Sequence, residues 1–74
     1  MTDSKQERFR RLAERRVNRV INDLRLIGNL SNRNNYDYTI DQVNKILTTL
    51  KREVRDLRAK FDDRTIQGEK PFEL

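Results

Sequence analysis

The sequence predicts an all-α protein: an antiparallel two-helix hairpin that dimerises into a four-helix bundle. Three observations predict this fold. Two long segments repeat apolar residues at helical spacing, an asparagine-rich connection separates them, and the chain is poor in core material. Of its 74 residues 39% are charged and 34% hydrophobic, whereas about 25% charged residues is typical. We expect one helical domain over residues 1–64 and a flexible tail over residues 65–74.

The first helix is predicted over about residues 4–27. Ser4 and Glu7 fit the two positions of a capping box. Gly28 follows the last apolar position and adopts a left-handed conformation at little cost, so we expect the helix to stop there or to continue by a turn to Leu30. The apolar residues at helical steps are Phe9, Ala13, Val17, Val20, Ile21, Leu24 and Ile27.

The connection is predicted over about residues 28–38, without a third element. It contains four asparagines, which hydrogen-bond their own backbone readily. The second helix is predicted over about residues 39–63, because Thr39 and Gln42 form a second capping box and Tyr38 and Val43 are placed as a hydrophobic staple. Its apolar residues follow a coiled-coil-like seam, widened by two isoleucines. The seam is Val43, Leu47, Leu50, Val54, Leu57 and Phe61, with Ile40 and Ile46 beside it.

The two apolar stripes predict a homodimer. Each predicted helix has about 24 residues, or about 36 Å, so an antiparallel return matches them along their length. A globular chain of this size buries only about 60% of its unfolded surface, and a lone hairpin covers one side of each stripe. A heterologous protein partner is the alternative. The residues expected at the oligomer interface are Val17, Val20, Leu24, Val43, Leu47, Leu50, Val54, Leu57 and Phe61.

The composition argues against several classes of function. The chain has no Cys and no His, so it offers no thiolate, no imidazole and no usual zinc ligand set. Asp37 and Asp41 lack the acidic alternation of a calcium loop. We expect no enzyme activity, catalytic residue, metal or cofactor. The longest uncharged run, Leu26 to Asn32, is much shorter than the roughly 18 residues of a membrane span, so we expect a cytoplasmic protein without membrane association.

The positive charge is concentrated in the first predicted helix. Residues 4–27 carry eight Lys or Arg against three Asp or Glu, a surplus of five that equals the net charge of the chain. Four arginines lie within about 80° on a helical wheel, roughly opposite the apolar stripe. Their guanidinium groups suit two-pronged phosphate contacts, so we expect nucleic-acid binding, RNA or DNA. A face that meets only solvent is the alternative. The candidate residues are Arg8, Arg11, Arg15 and Arg19, with Arg16 beside them.

The connection offers a second set of candidate contacts. Asn32, Arg33 and Tyr36 combine amide, guanidinium and aromatic groups, which stack on and read unpaired bases. Tyr38 is assigned to the staple instead. A function of another class is open as well: a protein-interaction module that engages a partner through the apolar seam, the connection or the tail around Phe72 and Leu74.

Two resemblances add to this interpretation. The stretch Arg58 to Asp63 resembles the end of the second helix of the Rop RNA-binding protein, and the size and layout of the chain look like that dimer of helical hairpins. By analogy this implies a bundle and RNA binding, although Rop has a tighter turn. The segments Arg11 to Asn18 and Leu26 to Thr39 are similar to small uncharacterised bacterial and mobile-element proteins, which implies an accessory or regulatory role.

Overall fold

The computed structural model describes residues 4–62, and all of their regular structure is helical. Helix α1 spans Lys5–Gly28, a 3-10 turn spans Asn29–Ser31, and helix α2 spans Ile40–Phe61. The all-α prediction is therefore confirmed for the described part of the chain. The chain divides after Asp37 into two units, one with α1 and the 3-10 turn and one with α2. The predicted tail lies outside the described residues.

Helix α1 begins at the predicted cap but continues into a turn that lies within the predicted connection. The Ser4 hydroxyl accepts the Glu7 N–H at 3.0 Å. Gly28 has φ −61° and ψ −29°, so the helix does not stop at a left-handed glycine, and the alternative, a continuation by a turn through Leu30, is observed. The Asn29 N–H donates to the carbonyl oxygens of Arg25 and Leu26. Since these carbonyls are satisfied by a right-handed continuation, the helix needs no glycine to end.

The connection contains an ordered turn centred on Asn32. The prediction that residues 28–38 hold no third element is wrong, because Asn29–Ser31 form the 3-10 turn. The Asn32 side-chain oxygen then accepts the Asn34 N–H at 2.9 Å. The Asn32 carbonyl accepts the Asn35 and Tyr36 N–H groups at 3.1 and 3.0 Å. One asparagine thus supplies three acceptor contacts that fold the turn.

Helix α2 begins with the predicted capping box. The Thr39 hydroxyl accepts the Gln42 N–H at 3.1 Å, and the Gln42 side-chain oxygen accepts the Thr39 N–H at 2.9 Å. Two early donors are satisfied reciprocally, which fixes the first turn. Tyr38 and Val43, the two residues of the predicted staple, are both half-buried.

Residues 4–62 contain no buried side chain. The seam residues illustrate this: Val17 is 55% exposed, Leu47 48% and Val54 64%. A helix in a protein draws most of its stability from packing of its apolar face. Each unit, taken by itself, therefore presents an apolar stripe to solvent. The half-buried residues are Leu12, Ala13, Tyr38, Val43, Leu50 and Asp62.

Candidate nucleic-acid interface

The predicted arginine face lies on a continuous part of α1. Arg8, Arg11, Arg15 and Arg19 all fall within Lys5–Gly28, and all four are exposed. Successive members are three or four residues apart, so their Cβ atoms are about 5–6 Å from one another. The helix therefore holds four guanidinium groups in a row about 16 Å long, at 1.5 Å per residue.

Acidic residues accompany the N-terminal half of this row. A shallow hollow on α1 is lined by Glu7, Arg10, Arg11 and Glu14. The two glutamates are placed three or four residues from these arginines, where opposite charges attract weakly. Around Arg11 the surface is thus of mixed sign. The next two turns of the row carry Arg15 and Arg19 and are the more cationic part.

Arg16 occupies a different position from the other candidates. At about 100° per residue it lies about 60° beyond Arg19, between the arginine row and the apolar stripe of α1. It is exposed. Arg16 is therefore placed beside Ala13 and Val20 rather than in the row, at an edge of the predicted interface.

A leucine in the arginine face was missed at the sequence level. Leu26 is 55% exposed and falls at the same helical angle as Arg8, two turns beyond Arg19. In the following turn Leu30 is 46% exposed, and Tyr36 is 48% exposed. Leu26 thus adds an apolar group to the C-terminal end of the arginine face, and Leu30 and Tyr36 are exposed apolar groups that follow α1 in the chain. Helical-wheel angles alone give the position of Leu26, whereas the 3-10 turn that carries Leu30 has no periodic signal.

The residues of the connection that are predicted to contact nucleic acid have different roles in the structure. Asn32 is exposed, but its side-chain oxygen is already bonded to the Asn34 N–H. Asn32 therefore has a structural role, because its hydrogen bonds hold the turn on which Arg33 and Tyr36 lie. Arg33 and Tyr36 are exposed on that turn. Their guanidinium and aromatic groups are of the kinds that stack on bases.

Charges on α2 are arranged less uniformly. The Arg58 Nε lies 3.4 Å from an Asp62 carboxylate oxygen, an i,i+4 ion pair with Arg58 largely exposed. Such exposed pairs contribute little to stability. Lys51 and Arg58 lie on one flank of the α2 seam, whereas Glu53 and Lys60 lie on the other. This helix therefore lacks a cationic row like that of α1.

Within residues 4–62 there is no group of three or more acidic, Cys or His residues placed to hold a metal ion. Neither described helix combines the length and apolar character needed to cross a membrane. The two helices and the arginine face define a small, basic chain that is all-α over residues 4–62. Comparisons with protein-family models, curated proteins and solved structures find no match.

Proposed function

We propose that this protein binds the phosphate backbone of nucleic acids through the arginine face of α1, in an accessory or regulatory role without catalysis. One observation carries the proposal: Arg8, Arg11, Arg15 and Arg19 are exposed along one face of a continuous helix. Phosphate contacts of this kind supply affinity without sequence readout. Arg33 and Tyr36 add stacking groups that favour unpaired bases.

The proposed binding form is a homodimer. The two helices return as an antiparallel hairpin, and two hairpins combine into a four-helix bundle. The support is the exposure of every seam residue of α1 and α2 that was expected at the interface, apart from the half-buried Val43 and Leu50. Full burial of one such side chain contributes about 1.5–3 kcal/mol. A dimer would display two arginine faces and double the number of phosphate contacts.

Salt dependence tests the nucleic-acid half of the proposal. Four phosphate contacts per copy predict that log affinity falls against log salt with a slope of about −3.6 on duplex DNA and about −2.8 on single strands. Two faces on one nucleic acid would double these values. We expect the wild-type chain to retain a duplex DNA and a single-stranded RNA probe at low salt, measured by fluorescence anisotropy.

A matched pair of variants separates the arginine face from net charge. The first changes Arg8, Arg11, Arg15 and Arg19 to Gln, and the second changes Lys45, Arg52, Arg55 and Lys60 on α2 to Gln. Both lower the net charge from +5 to +1, since each removes four positive charges. The proposal predicts loss of binding in the first variant only.

Equal losses in the two variants would contradict a localised face, and unchanged binding in the first would refute nucleic-acid contact by α1. Pull-down of a protein partner that survives nuclease treatment and about 0.5 M salt, where charge interactions are screened within a few Å, would favour a protein-interaction module instead.

A further inference from the structure

We infer that the exposed seam of α1 is covered by α2 of a second copy of this chain, antiparallel and in one defined register. This inference rests on the self-association part of the proposed function and adds the identity and register of the contact. It starts from two facts: no described side chain is buried, and both helices carry a seam with the spacing of a coiled coil.

The apolar layers of the two helices match in an antiparallel register with Val17 opposite Leu50, and the register one heptad away, with Val17 opposite Leu57, gives five apolar layers as well. When Val17 is set opposite Leu50, every further a position of one helix faces a d position of the other, because both helices repeat at steps of four and three. Beyond these layers Leu57 and Phe61 face Arg10 and Gln6, with Phe9 alongside. The fully apolar layers are Ala13 with Val54, Val17 with Leu50, Val20 with Leu47, Leu24 with Val43, and Ile27 with Ile40.

The same register places opposite charges across both edges of the seam. In an antiparallel pair the e positions face e positions and the g positions face g positions. Glu14 then faces Lys51 on one edge, and Arg16 faces Glu53 on the other. These edge charges select partner and orientation in coiled coils. A third pair, Glu7 with Arg58, follows one heptad further along. The register one heptad away places Arg16 opposite Lys60 and Asp23 opposite Glu53, two like-charge contacts against one match of Glu14 with Arg58. The edge charges therefore select the register with Val17 opposite Leu50.

Pairing of α2 with α2 of the second copy is less favourable. The antiparallel register centred on Leu50 and Val54 places Lys51 opposite Lys51 and Glu53 opposite Glu53, which are like charges. A parallel α2 pair matches Glu53 with Arg58 but leaves the α1 seam uncovered. Of these contacts, α1 with α2 covers both seams and matches the edges in each of its two symmetric occurrences.

This contact changes the role of Arg16. Its guanidinium lies between the arginine row and the apolar stripe, where Glu53 of the second copy would meet it. Arg16 is therefore assigned to the dimer contact rather than to nucleic acid.

A further consequence is that the connections of the two copies lie at the same end of the assembly, because the end of each α1 lies beside the start of the other α2.

Charge exchange between two chains tests the inference. One variant carries E14K and R16E, and the other carries K51E and E53K; each keeps the net charge of +5, because one positive and one negative charge exchange. Each variant alone would contain four repulsive edge contacts per dimer. We expect its dimer to dissociate at least about tenfold more readily than wild type, by sedimentation equilibrium. An equimolar mixture restores every pair and recovers wild-type association as a heterodimer.

A control with R52E and D56K exchanges charges on the outer face of α2 and should dimerise like wild type. Loss of association in each variant, with recovery on mixing, supports the inference. If mixing fails and only one chain with all four changes recovers, α2 covers α1 of its own chain and the inference is overturned. Wild-type association in each separate variant overturns the register. A monomeric wild-type chain at micromolar concentration would instead remove the self-association on which the inference rests.

Discussion

Replacement of Gly28 by Ala is expected to stabilise the protein. A glycine at the end of a helix ordinarily indicates a left-handed residue, where alanine is strained. Here Gly28 has φ −61° and ψ −29°, which alanine adopts without strain. A Cβ atom built at this position meets no atom within 4 Å. Both the backbone and the space around it therefore accept the substitution.

The size of the effect follows from the helical conformation. Glycine is about 0.8–1.0 kcal/mol less favourable than alanine inside a helix, and a Gly to Ala change at a compatible position yields about 0.4–1 kcal/mol. Because Gly28 is the last residue of α1 but is continued by the 3-10 turn, we expect a gain of about 0.5–1 kcal/mol per chain. In a domain of this size that raises Tm by about 3–6 °C.

The assay is thermal unfolding followed by circular dichroism at fixed protein concentration. Asn22→Ala is a suitable control, since Asn22 is an exposed residue in the middle of α1 and reports the response to helix propensity alone. If Asn22→Ala raises Tm while Gly28→Ala lowers it, the right-handed conformation assigned to Gly28 is wrong. Gly28 would then be left-handed, or in close contact with another backbone, in the assembled protein.

Three further predictions concern the seam, the cap and the connection. Leu47→Ala should weaken the folded dimer by about 2–5 kcal/mol. The control Leu26→Ala lies outside the seam but is similarly exposed in the chain, and it should change stability by less than about 0.5 kcal/mol. Denaturant unfolding measures the stability of both variants. Thr39→Ala removes the acceptor of the Gln42 N–H and should cost about 1 kcal/mol, while Thr48→Ala in mid-helix should not destabilise α2. Asn34→Cys should cross-link two copies through a short bismaleimide, because the connections share one end; exclusively monomeric adducts would contradict that placement.

The sequence predicts α2 more accurately than the end of α1, and the reason is local. Thr39 and Gln42 are three residues apart, so their reciprocal bonds depend on one turn of backbone and on no distant contact. Gly28 is different, because glycine permits both a right-handed and a left-handed end. The choice between a right-handed and a left-handed end depends on which N–H groups the carbonyls of the last turn accept. Here the Asn29 N–H donates to them, and the turn stays right-handed.

The sequence predicts the arginine face of the candidate site but not the role of Asn32. The angular position of Arg8, Arg15 and Arg19 follows from helical geometry once the helix is accepted. The task of Asn32 does not, because its side-chain oxygen suits a base and a backbone N–H equally well, and only the folded turn shows that Asn34 uses it. The surface that covers the apolar seam depends on association between chains, and local helix propensity does not predict it.

We expect folding of this chain to be coupled to its association with a second copy. Sedimentation equilibrium and circular dichroism of the wild-type chain, measured together from nanomolar to high micromolar concentration, test it most directly. We expect a helical species of about 18 kDa, twice the chain mass of 9.0 kDa, whose helix content falls as dilution dissociates it. A 9.0 kDa species that stays helical on dilution and unfolds cooperatively would contradict this expectation.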